Sequence, residues 1–297
     1  MKNNFISAIV LTHNEEIHLE RCLQSLKKIG AKVYVIDSFS SDKTKEIALR
    51  YEANFYENPW INYATQFNWA LDNCPIDTEW ILRLDADEYL CDDGEKSILQ
   101  DLPNFSQNDS AGTLKLKRVF MGREIKRMST IKMIRVFRKG IGRSENRWMD
   151  EHIQISTGNI VDLQGSFADD NLNNIGWWTT KHNGYSIREA IDLLDMEYQI
   201  LGNSHDNNLD VQAKNKRNIK MKYVKSPLFL RSFIYFLYRY IIKLGFLDGK
   251  EGFLWHFLQG WWYRTLVDAK IFEIKKHCGS DSVKIKHYIF KNYGIKL

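Results

Sequence analysis

The chain has 297 residues, of which 44% are apolar and 27% are charged, and its formal net charge is +5. This length and composition suit one or two globular domains with a sizeable core and exclude a disordered chain. The four cysteines are scattered without a CxxC pair, which argues against a disulfide framework or a zinc site and fits a reducing compartment. The apolar stretch from Phe5 to Leu11 runs directly into Thr12, so we expect no signal peptide and a cytoplasmic location.

Within the first hundred residues, patterns typical of strands alternate with patterns typical of helices. Apolar runs predict strands at 6–11, 33–36, 54–56 and 80–82, and spaced apolar residues predict helices around 17–26, 47–49 and 63–71. Ser41 and Asp42 are suitable capping residues for the second of these helices. Strands that alternate with helices in this way predict parallel βαβ units.

The pattern of apolar and polar residues changes after Asp85. Segments 113–120 and 131–137 alternate basic and apolar residues, which predicts an antiparallel extension of the sheet, and 185–198 is predicted to be helical. Asn, Asp and Lys dominate between about 205 and 226. We therefore predict a first domain over 1–205 and a second, helical domain over 206–297.

Polar clusters follow three of the predicted strands. They are Thr12-His13-Asn14-Glu15, Asp37-Ser38 and Asp85-Ala86-Asp87-Glu88. Ligands of open α/β sheets bind beyond the carboxyl ends of the strands, and two Asp separated by one residue favour a shared hard cation. Neither GxxxxGK[ST] nor GxGxxG follows the first strand, which argues against P-loop NTPases and dinucleotide-binding enzymes.

With these motifs the chain resembles the family 2 glycosyltransferases, a large inverting group with a GT-A fold. The matching segments are Ala8–Glu15, Val35–Thr44 and Trp80–Glu88, the last being the DxD element, and their order and spacing agree over residues 5–155. The tail segment Gly245–Phe253 is similar to a bacterial subgroup that builds lipopolysaccharide core and related surface glycans. The resemblance implies a GT-A fold of class α/β: a Rossmann-like, mostly parallel sheet with an antiparallel extension, followed by a helical C-terminal region rich in aromatic residues, Lys and Arg.

The resemblance also implies a donor site and a metal cofactor. The residues that the resemblance implies for donor binding are Thr12, Asn14, Glu15, Asp37, Gln66, Asn68, Asp85 and Asp87. Among these, Asp37 would accept from the base and Asp85 would lie near the ribose. Asp87, with Asp85, would hold Mg²⁺ or Mn²⁺ on the diphosphate, a Lewis acid for the leaving nucleoside diphosphate. For Gln66 and Asn68, a role as exposed polar residues of a helix is an equally open interpretation.

Two further roles are needed for transfer. An inverting enzyme needs a base for the acceptor hydroxyl, and the family places an acid in an ED-like element, which matches Trp148–Ile153 here. This element departs from the usual form, since Glu rather than Asp occupies its second position. We favour Glu151 as the base, with Asp150 as the alternative. Arg135 and Arg138 would either meet the donor diphosphate or be solvated positions of the sheet.

The tail is both basic and aromatic. Residues 211–247 contain no acid, and residues 229–263 hold 13 of the chain's 39 aromatic residues. The cations of this stretch are Lys214, Lys216, Arg217, Lys220, Lys222, Lys225, Arg231, Arg239 and Lys243. At 100° per residue, Arg231, Arg239 and Lys243 fall on one face of a predicted helix and leave a broad apolar face. Because charges interrupt the apolar run, we predict an interfacial helix on an anionic membrane surface rather than a span, and no binding of nucleic acid. The alternative is that this face packs on the first domain or on another subunit.

Together these features predict a cytoplasmic, membrane-peripheral, metal-dependent inverting glycosyltransferase. It would use a nucleotide sugar, expected to be a UDP-sugar, and a membrane glycolipid acceptor such as lipopolysaccharide core or a polyprenyl-linked oligosaccharide. A homo-oligomer remains open. Two alternatives stand beside this hypothesis: a sugar nucleotidyltransferase, which would usually carry a Gly-rich loop after the first strand, and a non-catalytic membrane-peripheral scaffold that retains the GT-A fold.

Overall fold

The computed structural model describes residues 5–145, 152–201 and 222–297, and the chain divides into two compact units, Met1–Asn173 and Asn174–Leu297. The boundary therefore lies about thirty residues before the 205/206 position suggested by the sequence. The intervening helix belongs to the second unit because its apolar residues, such as Ala190 and Leu194, share a core with Val267.

The first unit is an α/β structure. Its strands are β1 (Ile6–Thr12), β2 (Lys32–Asp37), β3 (Asn54–Glu57), β4 (Trp80–Asp85), β5 (Glu88–Leu90), β6 (Asp109–Phe120), β7 (Arg123–Glu124), β8 (Lys132–Arg138), β9 (Gly142–Ser144), β10 (Ile153–Ile155) and β11 (Asn159–Asp170). Its helices are α1 (Leu19–Lys28), α2 (Thr44–Arg50), α3 (Tyr63–Asn73) and α4 (Asp92–Gln100), with a 3₁₀ turn at Leu102–Asn104.

Most of these strands form one sheet in the order β3-β2-β1-β4-β8-β6-β11-β5. The first four strands of this order are parallel, and β8 then pairs antiparallel with both β4 and β6. Next to them, β11 runs parallel to β6 and antiparallel to β5. The predicted parallel sheet with an antiparallel extension is confirmed.

The central strand β1 is buried on both of its faces. Ile6, Ala8 and Val10 belong to one hydrophobic cluster, whereas Ile9 and Leu11 belong to another. Alternating residues of a strand point to opposite faces, so the continuous apolar run reflects helices packed on both sides of the sheet. This burial fixes the register of β1 and brings the ends of its neighbours to one edge.

The second unit is helical, as predicted. Its helices are α5 (Ile175–Tyr198), α6 (Leu230–Leu237), α7 (Gly249–Trp255), α8 (Tyr263–Cys278) and α9 (Ser282–Tyr293), with π-helical turns at Tyr238–Ile242 and His256–Trp262 and a 3₁₀ turn at Gly245–Asp248. None of the helices in the described ranges is long and apolar enough to cross a membrane.

The tail differs from the sequence prediction in the position of its cations. The sequence suggested that Arg231, Arg239 and Lys243 share one polar face, but Arg231 is 6% exposed and Arg239 is 7% exposed. Arg231 is drawn inward because it pairs with Asp268, which is fully buried on α8. Of these three cations, Lys243 alone is exposed.

Candidate functional site

The ends of β1 and β2 meet at one edge of the sheet. Thr12 lies opposite Asp37 in the parallel register, and its hydroxyl donates to the Asp37 carboxylate at 2.7 Å. The same carboxylate accepts from the backbone N–H of Ser40 at 2.6 Å and from the Ser40 hydroxyl at 2.5 Å. Asp37 is only 1% exposed, and its hydrogen bonds with Ser40 close the loop after β2. Its contact with a nucleotide base remains a prediction.

The loop after β1 is joined to the loop after β2. The backbone N–H of Asn14 donates to the Ser40 hydroxyl at 2.7 Å, and Asn14 Oδ1 accepts from the Ser41 N–H at 2.8 Å. Asn14 adopts a φ of 56°, a left-handed conformation that Asn tolerates better than most residues. The N–H of Glu15 donates to Thr44 Oγ1 at 2.8 Å. The two loops therefore form one rim along the strand ends.

Gln66 and Asn68 of α3 also hold backbone in place. Gln66 is fully buried, donates to the Ser38 hydroxyl at 3.2 Å and accepts from the Asn58 side chain at 2.7 Å. The amide of Asn68 exchanges two hydrogen bonds of 2.9 Å with the backbone of Ser144 in β9. The interpretation of Gln66 as an exposed polar residue is therefore wrong, since its side chain is buried and its amide is hydrogen-bonded to residues inside the protein. Donor binding by either residue remains a prediction.

The DxD element lies at the end of β4, beside the rim. Asp85 is opposite Leu11 of β1, and its Oδ1 is buried without a hydrogen-bond partner among the described residues. The Arg83 Nε atom lies 3.8 Å from this oxygen. Asp87 Oδ2 accepts a hydrogen bond from Asn171 Nδ2 at 3.0 Å. Asp85 Oδ1 thus accepts no hydrogen bond among the described residues and has Arg83 as its ion-pair partner, while one oxygen on Asp87 is already oriented.

Glu88, the third acid of the motif, has a structural role. It is 4% exposed, accepts from the Asp85 N–H at 2.9 Å, and accepts from Arg135 Nη2 at 2.5 Å. Burial raises the pKa of Glu88 well above its usual range, against the opposing effect of Arg135, while the Asp85 charge raises it further. Arg135 is therefore a buried partner of Glu88, and the interpretation of this arginine as a solvated sheet position is wrong.

Asp169 was not identified from the sequence, although it belongs to the same cluster of acids. It lies opposite Glu88 where β11 pairs with β5, and it forms an ion pair with Arg118. Burial raises the pKa of Asp169 to about 6, and the charges of Asp87 and Asp85 act in the same direction. The sequence does show an apolar pair followed by two acids at the end of β11, but this local pattern does not report the pairing with β5 that brings Asp169 to Glu88.

The carboxylates of this edge suit a divalent cation that is shared with a ligand. No group of three or more His, Cys, Asp or Glu side chains within the described ranges is arranged to hold a metal ion by itself. Mg²⁺ and similar hard cations are commonly bound by one or two carboxylates together with phosphate oxygens and water. Oδ1 of Asp85, which accepts no hydrogen bond among the described residues, and the oriented carboxylate of Asp87 fit that donor set rather than a closed structural site.

The candidate base cannot be placed in this geometry. Asp150 and Glu151 fall in the interval 146–151, which lies outside the described residues, between β9 and β10 along the chain. The choice between them therefore remains a prediction. Arg138, the other cation considered for the diphosphate, pairs with Glu79, and its guanidinium lies 4.3 Å from the ring centroid of Trp80.

A family model now identifies the first unit. The model described as glycosyl transferase family 2 matches residues 7–168, which is more than half of the 297 residues. The chain belongs to this family. The resemblance inferred from the strand-end motifs is confirmed, and family membership favours a glycosyltransferase over the sugar nucleotidyltransferase considered above.

Relatives of this family member occur among bacterial proteins. An uncharacterized glycosyltransferase of Rickettsia typhi is 28% identical over 253 residues, covering 84% of this chain and 80% of the relative. One from Rickettsia bellii is 44% identical over 85 residues, which are 29% of this chain, so the match spans only 28% of that relative's length. The lipopolysaccharide core biosynthesis glycosyltransferase LpsC of Rhizobium meliloti is 28% identical over 46% of this chain and 52% of its own length.

Solved structures give more distant matches. The mannosyltransferase PcManGT from Pyrobaculum calidifontis, in complex with GDP-Man and Mn²⁺, is 13% identical with a TM-score of 0.49, and the match covers 90% of this chain and 87% of that one. Staphylococcus aureus TarS 1–349 is 14% identical with a TM-score of 0.45, covering 98% and 92% of the two chains. The family assignment rests on the sequence model.

Proposed function

We propose that this protein is a metal-dependent inverting glycosyltransferase that transfers a sugar from a UDP-sugar to a membrane glycolipid. The observation that carries this proposal is the meeting of three polar strand ends within the family-matched region: Thr12 with Asp37, and Asp85 with the oriented Asp87 beside them. The relative LpsC is named for lipopolysaccharide core biosynthesis, which supports a lipopolysaccharide-type acceptor.

The residues of the site divide into those that bind the donor and those that act on the acceptor. Asp85 and Asp87 would hold Mg²⁺ or Mn²⁺, which supplies Lewis-acid stabilisation of the charge on the departing nucleoside diphosphate. The joined loops at Asn14 and Glu15 would line the nucleoside. Glu151 would take the proton of the attacking acceptor hydroxyl and so make that oxygen a stronger nucleophile, with Asp150 as the alternative base.

The acceptor side of the proposal rests on the surface of the tail. Between residues 234 and 247 many large apolar side chains are exposed, namely Ile234, Tyr238, Ile241, Ile242, Leu244, Phe246 and Leu247. Exposed apolar surface of this kind is typical of an interaction site for protein or membrane. Lys222, Lys225 and Lys243 are exposed as well, which supports an anionic lipid surface at the inner face of the cytoplasmic membrane.

The metal site provides the direct test of this function. We expect Asp87→Asn to lower transfer by roughly 100-fold or more, because several kcal/mol of transition-state stabilisation depend on the metal. The variant should also lose Mn²⁺-dependent UDP binding in calorimetric titration, at an unchanged unfolding temperature. Asp92→Asn is the matched control, since the Asp92 side chain is 98% exposed, outside the site.

Three outcomes would contradict the proposal in different ways. Full activity of Asp87→Asn, or undiminished activity of the wild type in excess EDTA, would exclude the metal role. Metal-dependent UDP binding without hydrolysis of any nucleotide sugar or transfer to any glycolipid would favour the non-catalytic scaffold. Retention of anomeric configuration in the product would exclude the inverting mechanism.

A further inference from the structure

The segment 170–173, which begins at the last residue of β11, holds Asp87 from one side. Asn171 Nδ2 donates to Asp87 Oδ2 at 3.0 Å, and the backbone N–H of Asp170 donates to the Asp87 carbonyl at 3.1 Å. Both the side chain and the backbone of Asp87 are therefore fixed by residues more than eighty positions later in the chain. This contact lies outside the DxD element itself.

The orientation of the Asn171 amide follows from its second hydrogen bond. Asn171 Oδ1 accepts from the backbone N–H of Asn173 at 3.0 Å, so its oxygen must face that donor. The opposite end, the NH₂ group, then necessarily faces Asp87. A flipped amide would place its NH₂ against the Asn173 N–H and its oxygen against a carboxylate, losing both hydrogen bonds. Asn171 is thus an unambiguous donor to Asp87.

The same segment is anchored to α1 and to the loop after β1. Arg21 donates to Asp170 Oδ2 and to the Asp170 carbonyl, both at 2.5 Å. The N–H of Leu172 donates to His18 Nε2 at 2.9 Å, and His18 Nδ1 in turn donates to Glu15 Oε2 at 2.6 Å. His18 is 1% exposed, and this pattern requires its neutral Nδ1–H tautomer. The segment cannot shift without disturbing the rim that carries Glu15.

We propose that Asn171 is a positioning residue for Asp87, acting on the metal through the carboxylate it orients. The inference rests on the proposed function, because it takes Asp87 as a ligand of a cation on the donor diphosphate. With Oδ2 held by the Asn171 amide, the carboxylate presents Oδ1 in a fixed direction and loses little freedom when a cation binds. Partners that orient metal ligands typically contribute 10- to 100-fold in metal affinity or activity.

The test measures metal affinity separately from turnover. The probes are Mn²⁺ and UDP, with free Mn²⁺ followed by electron paramagnetic resonance and UDP binding followed by calorimetry. For Asn171→Ala we expect roughly 10- to 100-fold weaker Mn²⁺ binding in the presence of UDP. UDP binding without metal should be unchanged, and kcat should recover substantially at saturating Mn²⁺.

Two further variants separate the amide donor from the volume of the side chain. Asn171→Leu preserves the approximate volume and removes the donor, so it should lose as much Mn²⁺ affinity as Asn171→Ala. Asn173→Ala is the matched control, because Asn173 contacts the Asn171 side chain through its backbone N–H, which this substitution retains. We expect it to bind Mn²⁺ like the wild type.

The outcomes separate this inference from the proposed function. A wild type without Mn²⁺-dependent UDP binding would overturn both. A wild type that binds, together with an Asn171→Ala variant that binds equally well, would overturn only the role of Asn171. Loss in Asn171→Ala but not in Asn171→Leu would point to packing, and weakened metal-free UDP binding or a lowered unfolding temperature would point to a general structural role. Either result would overturn the inference.

Discussion

The ion pair between Arg231 and Asp268 removes one cation of the tail from the protein surface. Both side chains are buried within the second unit, at 3% and 0% exposure. Arg231 Nε and Nη2 donate to Asp268 Oδ1 at 2.8 and 2.5 Å, and Nη1 donates to the carbonyls of Tyr223 and Val224 at 2.9 and 3.2 Å. Asp268 Oδ2 also accepts from the Phe229 N–H at 2.8 Å. The pair therefore connects α6, α8 and the segment before α6.

We expect Arg231→Met to destabilise the second unit strongly. Methionine has a similar length but leaves the Asp268 anion buried without its cation, and removing one partner of a buried pair costs about 3–5 kcal/mol. At roughly 3–4 °C per kcal/mol for a unit of this size, the unfolding temperature should fall by about 10–20 °C. The double variant Arg231→Met/Asp268→Leu should recover much of this loss, since an apolar replacement of both partners is often neutral.

The measurement is thermal and urea unfolding followed by circular dichroism, with vesicle binding in parallel. Lys243→Met is the matched control, because Lys243 is exposed and surface substitutions usually change stability by less than about 0.5 kcal/mol. The reasoning would be refuted if Arg231→Met unfolded like Lys243→Met. If it then also bound anionic vesicles more weakly, Arg231 would be a membrane-facing cation, as the sequence pattern suggested.

Three other predictions address the base, the tail core and the exposed tail surface. Glu151→Gln should lower turnover by roughly 100-fold or more at unchanged donor affinity, and a larger loss in Asp150→Asn would reassign the base. His256 is fully buried, neither ring nitrogen has a hydrogen-bond partner within the described part of the chain, and burial lowers its pKa to about 4. The neutral form therefore stabilises the fold above pH 6.5, and up to roughly 3 kcal/mol is lost as the pH falls from 6.5 to 4. His256→Leu should lack this loss in urea unfolding at pH 7.5 and 5, and an unchanged pH dependence would contradict it. Ile242→Ser should weaken vesicle binding about tenfold, unlike the control Val283→Ser, and equal binding of both variants would exclude Ile242 from the contact.

The sequence predicted the parallel half of the sheet because its strands are buried on both faces. Residues Ile6–Thr12 and Trp80–Asp85 form almost uninterrupted buried runs that end in polar residues. In contrast, β11 begins with exposed residues, contains Gly165, and pairs with β6 some fifty residues earlier in the chain. A local pattern cannot report such a pairing, so the acids at the end of β11 were not assigned to the site.

The burial of polar residues such as Arg231 and Gln66 could not be predicted from the sequence, and the physical reason is different. A helical pattern assigns Arg231 to the polar face, yet its burial depends on Asp268, which lies thirty-seven residues later on another helix. Gln66 is likewise buried because Ser38 and Asn58 satisfy its amide. Burying a polar group is costly unless it is hydrogen-bonded, so its location is set by its partner and not by its own residue type.

The position of these cations also changes how the proposed membrane contact should respond to salt. Nine cations between 211 and 247 would each contribute about 1 kcal/mol near an anionic surface. Arg231 and Arg239 are buried, so at most seven of the nine can contribute, and the exposed apolar residues between 234 and 247 carry more of the contact. Ionic strength screens charge but not apolar burial. A contact of this kind should therefore keep a substantial salt-resistant part, and binding that vanished in high salt would assign the contact to the basic residues instead.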